Sequence, residues 1–486
     1  MNLSKSKYCS AIQCNKILWL EKNYPEEREE TSNQSTLDNG NEVGEIAKNL
    51  FGFHIDVSFN DDLKIMINDT KSLLNLDKIV ITEASFVYNN NFCSVDILKK
   101  DNNKFEIYEV KSSTDIKNIY IEDISYQYYV LENLGYNITK ANIVYINSKY
   151  EKHGNLDLNK LFNIEDVTDI VKKKQEEVKK KIINIMSYME NIEEPDEPLG
   201  MHCVTPYECP FFKHCTSHLN KNNIFKIKRM RNSKKFELYN KGIYNYEDLL
   251  KEDIDEKFKQ QIEFELHDKE PHINKEKINE FLSTLTYPLY FLDFETFQQP
   301  IPKYDGVKPY MQIPFQYSLH YIEKDKLEHK DFLANPDIDP RRDLAESLVN
   351  DIPLDVCTLA YNMSFEKTVI KNLASLYPDL SQHLMNIHDN MKDLMIPFKD
   401  RHYYTKDMHG SFSIKYVLPA LFPNEPSLNY HNLDLVHNGS EAMSMYANMG
   451  NMAIEEQERL RRSLLKYCEL DTYAMVKIWQ KLKEVC

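Results

Sequence analysis

Residues 94–114 alternate apolar and polar positions in a way that predicts a β-hairpin. A polar run at residues 99–104 separates an apolar arm around Asp96 from a second arm with the period of a strand. On the second arm a period of two places Glu109 and Lys111 on the same face, so an acid and an ammonium group project side by side.

A second strand pattern, YPLYFLDFETF, lies in the other half of the chain. Its period of two places Asp293 and Glu295 on one face, with Leu292 and Phe294 on the other. Two like charges on a buried strand are unfavourable unless a cation compensates them. The pattern therefore indicates a pair of acids that serves a cation.

The pattern between residues 79 and 189 predicts mixed α/β structure. A strand at 79–87 precedes the hairpin, a helix at 121–134 carries Gln127, and a further strand follows at 141–146. An amphipathic helix is predicted at 164–189. The predicted fold class is therefore α/β.

Composition narrows the class of protein. The chain has 486 residues, 42% hydrophobic and 28% charged, which is typical of a globular protein of two or three domains. A net charge of −16 disfavours general coating of nucleic acid, although a local basic track is enough for a nuclease. Because no apolar run suits a signal peptide or a membrane span, we expect a cytoplasmic protein without membrane association.

Three of the nine cysteines, Cys203, Cys209 and Cys215, lie close together in the segment MHCVTPYECPFFKHC. In a cytoplasmic protein these cysteines are unlikely to form disulfides. Their polar surroundings favour metal ligation over burial in a core. A closed site needs a fourth ligand, for which Cys14 is our choice and Cys9 the alternative. Four thiolates suit either zinc or an iron–sulfur cluster.

The hairpin acids also suit a metal. Asp96 and Glu109 can hold a hard divalent cation, and Lys111 can steady an attacking water or the developing charge when a phosphodiester is cut. The alternative is an exposed cross-strand ion pair with no catalytic role.

Asp96, the triplet Glu109-Val110-Lys111, Gln127 and one early plus three late cysteines follow in this order along the chain. The order resembles the RecB-type branch of the PD-(D/E)xK nucleases and, within it, iron–sulfur members such as the CRISPR adaptation exonucleases and the AddB nuclease domain. The resemblance implies a restriction-endonuclease-like fold with catalytic metal on Asp96 and Glu109. It places Lys111 beside the attacking water, with Gln127 in the catalytic set. It also implies a [4Fe-4S] cluster on Cys14, Cys203, Cys209 and Cys215.

Two features depart from the adaptation nucleases. Two of their late cysteines usually lie closer together than Cys203 and Cys209 do here. Their upstream histidine ligand has only Glu42 or Glu45 as a counterpart. Glu45 is a candidate substitute, although an exposed helix glutamate is the favoured interpretation.

Two helices in the second half carry further acids and a tyrosine. Glu366 begins an apolar-periodic helix, and Tyr467 and Asp471 lie one turn apart on the last helix. Together with the two strand acids, this order is similar to the DnaQ-like (DEDD) exonucleases, tyrosine subtype, on an RNase H-like fold. In that resemblance Tyr467 orients the attacking water. Two magnesium or manganese ions would be held by Asp293, Glu295, Glu366 and Asp471.

The third acid of that superfamily is normally aspartate, so Glu366 is one methylene longer than expected. Asp393 is a reserve candidate, for which a helix cap or a surface acid is the favoured interpretation. Residues 410–418, GSFSIKYVL, resemble the Ser-Leu-Lys segment of such exonucleases.

A basic segment lies between the two halves. Residues 221–235 carry seven basic residues with Phe225 among them and are a candidate for phosphate contact, with a solvated linker as the alternative. The next stretch, FELYNKGIYNYEDLL, resembles a helix-hairpin-helix element that grips the DNA backbone.

The whole order resembles a bacterial family that fuses the two nuclease types. We expect a RecB-like domain with the cysteines at residues 1–220, a basic helical linker at 221–285 and a DnaQ-like domain at 286–486. The expected function is metal-dependent cleavage of DNA, by exonuclease action at two separate active sites, in repair, recombination or defence. The alternatives are an RNA-directed exonuclease, and a nucleic-acid-binding or assembly protein in which one or both sites are degenerate.

Overall fold

Both halves of the chain combine helices with mixed sheets, which confirms the predicted α/β class. The computed structural model describes residues 3–30, 34–324 and 326–486. Across these ranges no helix has the length and apolar character that a bilayer crossing requires.

The first of two compact units comprises Met1–His218 and Gln299–Met311. Apart from short 3-10 turns, its elements are β1 (Leu3–Ser4), α1 (Lys5–Gln13), α2 (Asn15–Asn23), α3 (Gln34–Ala47), β2 (Ile55–Asp56), α4 (Leu63–Leu73), β3 (Lys78–Tyr88), β4 (Asn91–Asp101), β5 (Lys104–Lys111), α5 (Asn118–Asn133), β6 (Ile138–Ile146), α6 (Leu158–Leu161), β7 (Phe162–Asp166), α7 (Thr168–Tyr188) and α8 (Phe212–Cys215). One sheet has the order β2-β3-β4-β5-β6-β7, with β1 beside β4. Strands β3, β4 and β5 are mutually antiparallel, whereas β6 runs parallel to β5.

The predicted hairpin is formed by β4 and β5, with a shorter turn than the sequence indicated. Asp101 pairs with Lys104, so only two residues form the turn, and Asn102 adopts a φ of +53° that asparagine tolerates. Lys99 remains in the ladder because its ammonium pairs across the strands with Glu106, at 3.1 Å. Polarity alone therefore overestimated the turn.

The N-terminal segment forms two helices joined at Cys14. Cys14 has an extended backbone, with φ −161° and ψ 120°, between α1 and α2. The side-chain amide of Gln13 donates to the carbonyl oxygens of His202 and Tyr207, both at 2.8 Å. The kink therefore ties the start of the chain to the loop of late cysteines.

The second unit comprises Leu219–Gln298 and Gln312–Cys486, so residues 221–285 belong to it. Its elements are α9 (Asn232–Asn240), α10 (Tyr246–Leu249), α11 (Glu256–His267), β8 (His272–Ile273), α12 (Lys275–Ser283), β9 (Leu289–Phe297), β10 (Ile313–Glu323), β11 (Lys326–Leu333), α13 (Arg341–Asp351), β12 (Cys357–Ala360), α14 (Ser364–Leu376), α15 (Ser381–Asp389), β13 (Met391–Asp393), α16 (Ile396–Lys399), β14 (Tyr403–Tyr404), α17 (Ile414–Leu421), α18 (Gly439–Asn448) and α19 (Ile454–Glu484). Strands β8 and β14 pair separately from the main sheet.

The main sheet of this unit has the order β11-β10-β9-β12-β13, with β9 at its centre. Strand β9 is antiparallel to β10 and parallel to β12. Leu292 and Phe294 pack into a core with α13, α14 and α15, whereas Leu289 and Phe291 pack into a second core with α17 and α19. Helices therefore cover both faces of β9.

Gly410 provides a test of packing in the second unit. Its φ is +74°, and an added Cβ would lie 2.1 Å from Oε1 of the buried Gln261. We expect Gly410→Ala to lower the free energy of unfolding by about 2–4 kcal/mol through both left-handed strain and overpacking. Thermal unfolding followed by calorimetry measures the loss.

Gly242→Ala is the matched control, because Gly242 has a φ of +80° but open space around it. It should cost only about 1–2 kcal/mol, the left-handed strain alone. Equal losses for the two variants would contradict the packing around Gln261.

Candidate active sites

Three carboxylates come together in the second unit. Asp293 and Glu295 on β9 and Asp471 on α19 each offer an oxygen atom, and these atoms lie within 4.8 Å of one another. Among the described residues this is the one set of three or more acidic, histidine or cysteine side chains with that spacing. Oxygen ligands at such a distance are what magnesium and manganese require.

The strand period explains how Asp293 and Glu295 reach the cluster. The residues that precede each acid, Leu292 and Phe294, point into the opposite core, so the acids share the face that α19 covers. On α19, Tyr467 lies one turn before Asp471, as the sequence predicted. The two strand acids and the helix acid are thus brought together by rigid elements.

Burial and mutual repulsion raise the pKa values of the acids in this cluster, which favours the binding of a cation. Burial and the neighbouring Asp471 carboxylate raise the pKa of Asp293 well above its usual value. Burial and Asp471 likewise raise the pKa of Glu295, against the lowering effect of Lys415. Burial raises the pKa of Asp471 to about 7. Lys415, which is exposed on α17, acts on Glu295 and Asp471, yet the pKa of each of the three acids stays raised, so the residues fit a divalent ion.

Tyr430 is a further member of this site. Its hydroxyl donates to Asp471 Oδ1 at 2.6 Å, and its ring lies 5.8 Å from that of Tyr467. Burial and the nearby carboxylates raise the pKa of both phenols, so both stay protonated as donors. Tyr430 has no periodic relation to Asp471 in the sequence, because it lies 41 residues before Asp471 in a short 3-10 helix.

Glu366 and Asp393 lie near each other at the edge of the cluster. Glu366 is buried at the start of α14, its Oε2 has no hydrogen-bond partner among the described atoms, and burial raises its pKa to about 8. Its charge also acts on Asp293. Asp393 accepts hydrogen bonds from the backbone of Asn362 and Met395, at 2.9 and 3.0 Å. Asp393 is buried, so its interpretation as a surface acid was wrong, and its hydrogen bond to Met395 lies before α16, which has no side-chain cap.

The basic segment lies against the residues around Lys415. The guanidinium of Arg229 is 3.4 Å from the ring centroid of Phe412, and the ammonium of Lys228 is 5.1 Å from that of Tyr416. These cation–π contacts attach the segment to α17 and the turn before it. Positive charge therefore accumulates on the side of the second unit that carries Lys415.

The first unit has its own carboxylate site. Asp96 on β4 and Glu109 on β5 both contact the ammonium of Lys5, which lies 3.2 Å from Asp96 Oδ1 and 3.0 and 3.1 Å from the two oxygens of Glu109. The backbone N–H of Val110 donates to Asp96 Oδ2 at 2.7 Å. The pair is therefore a built cation-binding position, which the Lys5 ammonium occupies.

Lys111 and Gln127 complete this arrangement, and both contact Asp123. The ammonium of Lys111 lies 2.6 Å from Glu109 Oε1 and 2.7 Å from Asp123 Oδ2. The amide of Gln127 donates to Glu109 Oε2 at 2.6 Å and to Asp123 Oδ1 at 3.0 Å. The four residues predicted for the nuclease site of this half, Asp96, Glu109, Lys111 and Gln127, therefore lie together.

The charges of the first site oppose one another. Burial raises the pKa of Glu109, but the Lys111 and Lys5 ammonium groups outweigh it and lower that pKa overall. Burial and the Glu109 charge raise the pKa of Asp96 to about 6. Burial and Glu109 also raise the pKa of Asp123. Glu109 is therefore the permanently ionised acid of the site.

A further carboxylate, Glu83, interacts electrostatically with this site, whereas Glu45 does not take that role. The carboxylate of Glu45 pairs with the ammonium of Lys48 at 2.6 Å, and its side chain is 70% exposed, as the favoured interpretation expected. Glu83 has a φ of +56° and lines a cavity of about 460 Å³ with Lys48. Burial and the charge of Asp96 raise the pKa of Glu83 to about 7.

The four selected cysteines gather in the first unit. Burial and the charges of Cys14, Cys215 and Cys203 raise the pKa of Cys209 to about 12. Within the described residues, no three of these sulfur atoms lie within 4.8 Å of one another. Burial and the charge of Asp123, a member of the carboxylate site, raise the pKa of the Cys9 thiol. Because Cys14 and not Cys9 acts on Cys209, these interactions favour Cys14 as the fourth member.

Comparison with known proteins yields one match. A family model described as a domain of unknown function, DUF2779, matches residues 290–413. That segment contains both strand acids of β9 and Glu366, and it ends before α19. No curated protein and no solved structure matches the chain. Because the matching description carries no activity, the side-chain chemistry is the basis for an assignment.

The acid cluster of the second unit should make the metal-free protein less stable at high pH. The folded-state pKa of Asp471 is about 7, above the ~3.9 of an unfolded aspartate, so the folded state binds more protons between these values. Stability should therefore fall as the pH rises from about 4 to about 7. In EDTA at pH 8 we expect Asp471→Asn to raise Tm by about 2–4 °C or more.

Differential scanning calorimetry at pH 5 and pH 8 measures this effect. At pH 5 the gain in Tm should shrink, and Glu469→Gln, an exposed acid on the same helix, should change Tm at neither pH. A lower Tm for Asp471→Asn at pH 8 would contradict the repulsive cluster.

Proposed function

We propose that this protein is a metal-dependent nuclease that hydrolyses DNA phosphodiesters at two separate sites, acting as an exonuclease. The observation that carries the proposal is the set formed by Asp293, Glu295 and Asp471, whose oxygens lie within 4.8 Å of one another beside Tyr467. Buried acids that repel one another serve a cation better than they serve the fold.

The topology of each unit supports this proposal. In the second unit, an antiparallel trio with β9 at one side continues into parallel β12 and β13, as expected for an RNase H-like exonuclease. In the first unit, α4 precedes three antiparallel strands, then α5 and a strand parallel to β5, as expected for a PD-(D/E)xK core. Both candidate sites lie on the central strands of their sheets.

In the second unit the protein groups have separable roles. When bound, magnesium or manganese would polarise the phosphate and lower the pKa of an attacking water. Asp293, Glu295 and Asp471 would hold the ions, with Glu366 as the additional acid. Tyr467, kept protonated, can donate a hydrogen bond that orients the water. Tyr430 holds the Asp471 carboxylate by its 2.6 Å hydrogen bond.

In the first unit the same division applies. Asp96 and Glu109 would hold the metal, since their oxygens already surround a cation. Lys111, fixed between Glu109 and Asp123, can stabilise charge that develops on the phosphate. Gln127 holds the orientation of Glu109 through its amide.

The cysteines support a metal centre on four thiolates. Cys14, Cys203 and Cys215 each act on Cys209, so the four thiols gather at one place. Four thiolates suit either a [4Fe-4S] cluster or zinc, and the resemblance to the iron–sulfur nucleases favours the cluster. Its role would be structural, in joining the kink at Cys14 to the late loop.

End-labelled DNA tests the nuclease proposal. Purified wild-type protein should shorten the strand with magnesium or manganese and lose activity in EDTA. Asp96→Ala and Asp293→Ala together should lower the rate by at least about 100-fold, because each removes a direct metal ligand. Activity of the double variant at the wild-type rate would contradict the proposal.

The two single variants and two controls assign the sites. Asp101→Ala, at the exposed end of β4, and Glu323→Ala, at the exposed end of β10, should leave the rate unchanged. Labels at the 5′ and 3′ termini show which unit attacks which end. A matched RNA strand in the same assay distinguishes DNA from RNA as the substrate.

The cysteine assignment predicts colour. Protein purified without oxygen should be brown and bleach with a reductant, and Cys14→Ser should lose both the colour and the iron. Cys9→Ser is the matched control and should keep both, since Cys9 interacts with Asp123 of the carboxylate site. Colourless wild-type protein with stoichiometric zinc would overturn the iron–sulfur assignment.

A further inference from the structure

The ammonium of Lys5 occupies the position between Asp96 and Glu109 where a catalytic cation would bind. It contacts one oxygen of Asp96 at 3.2 Å and both oxygens of Glu109 at 3.0 and 3.1 Å. These three oxygens are the atoms that a divalent ion would use. An ammonium and a metal ion cannot both take this position.

The two acids do not need Lys5 for their orientation. The backbone N–H of Val110 holds Asp96 Oδ2 at 2.7 Å. Lys111 holds Glu109 Oε1 and Gln127 holds Glu109 Oε2, each at 2.6 Å. Because these donors already orient both acids, Lys5 contributes its positive charge to the site and is not required for the orientation of the acids.

The charges around the site favour an exchange of one cation for another. The three carboxylates in direct contact with the two lysines, Asp96, Glu109 and Asp123, carry three negative charges when ionised, and Lys5 and Lys111 carry two positive charges. The site with Lys5 in place thus has one negative charge left over. A divalent ion that replaces Lys5 brings the set to neutrality, whereas a divalent ion beside Lys5 would leave an excess positive charge close to another cation.

Only the side chain of Lys5 has to move. Its backbone is fixed where α1 begins: Leu3 pairs with Asn91 of β4, and the hydroxyl of Ser4 accepts the backbone N–H of Lys7. The Lys5 side chain is 25% exposed, so rotation about its flexible stem can carry the ammonium into solvent.

We infer that Lys5 is a tethered counter-cation which divalent metal must displace from the Asp96–Glu109 pair, so that this lysine sets the metal concentration at which the first site loads. The inference rests on the proposed metal-binding role of that site. Lys5 is thereby a regulating residue that neutralises Asp96 and Glu109 when no metal is bound and competes with the ion for them.

Metal binding by the full-length protein tests this role. Manganese affinity is measured by titration calorimetry in an Asp293→Asn background, which removes a carboxylate from the second cluster. Lys5→Met should bind manganese at the first site roughly tenfold to a hundredfold more tightly, the range over which groups around a metal change its affinity. Lys7→Met, on the same helix, is the matched control and should leave the affinity unchanged.

The outcomes separate this inference from the nuclease proposal. Tight manganese binding that Lys5→Met strengthens and Asp96→Asn removes would support the role of Lys5 even if no DNA were cut. Unchanged or weaker binding by Lys5→Met, with wild-type activity on DNA intact, would overturn the role of Lys5 alone. Absence of manganese binding in every variant would overturn the metal-binding role of the first site and, with it, the role of Lys5.

A second measurement needs no variant. Wild-type protein is acetylated with an amine-reactive ester, with and without manganese, and each lysine is followed by mass spectrometry. Displacement predicts several-fold faster modification of Lys5 with the metal, because its ammonium leaves two carboxylates that suppress its reactivity. Lys7 should react equally in both states. A rate for Lys5 that manganese leaves unchanged would contradict displacement.

Discussion

The organisation of this protein depends on one electrostatic constraint, the need to compensate carboxylates that rigid elements hold close together. In the second unit, Asp293, Glu295 and Asp471 come from a central strand and a long helix, neither of which can move the acids apart. Exposed Lys415 acts on two of them, and the pKa of each acid is raised. The first unit meets the same constraint differently, because Lys5 and Lys111 contribute ammonium groups directly to the acids.

This difference gives the two sites different properties before any metal arrives. Glu109 stays ionised because two ammonium groups lower its pKa, so the first site is an acid pair already filled by a cation. Asp471, with a pKa of about 7, is partly protonated near neutral pH, so loading of the second site with metal would be coupled to release of a proton. Under the proposed function, metal binding would be opposed by a lysine in one unit and by protons in the other.

Much of each candidate site could be predicted from local pattern. A period of two placed Asp293 with Glu295 and Glu109 with Lys111, and one helical turn related Tyr467 to Asp471. Lys5 and Tyr430 were not predictable in this way, because their contacts span 91 and 41 residues and no periodic pattern links them to the acids. Asp123 lies one turn before Gln127 on the same helix, so a helical period does relate these two residues.

The central claim is that both carboxylate sites bind divalent metal for phosphodiester cleavage. Diffraction from crystals soaked in manganese and measured at the manganese absorption edge tests it most directly. We predict anomalous peaks among Asp293, Glu295 and Asp471 and between Asp96 and Glu109. The Lys5 ammonium should have moved away from Asp96 and Glu109. Manganese-soaked crystals with no anomalous peak at either set of acids would contradict it.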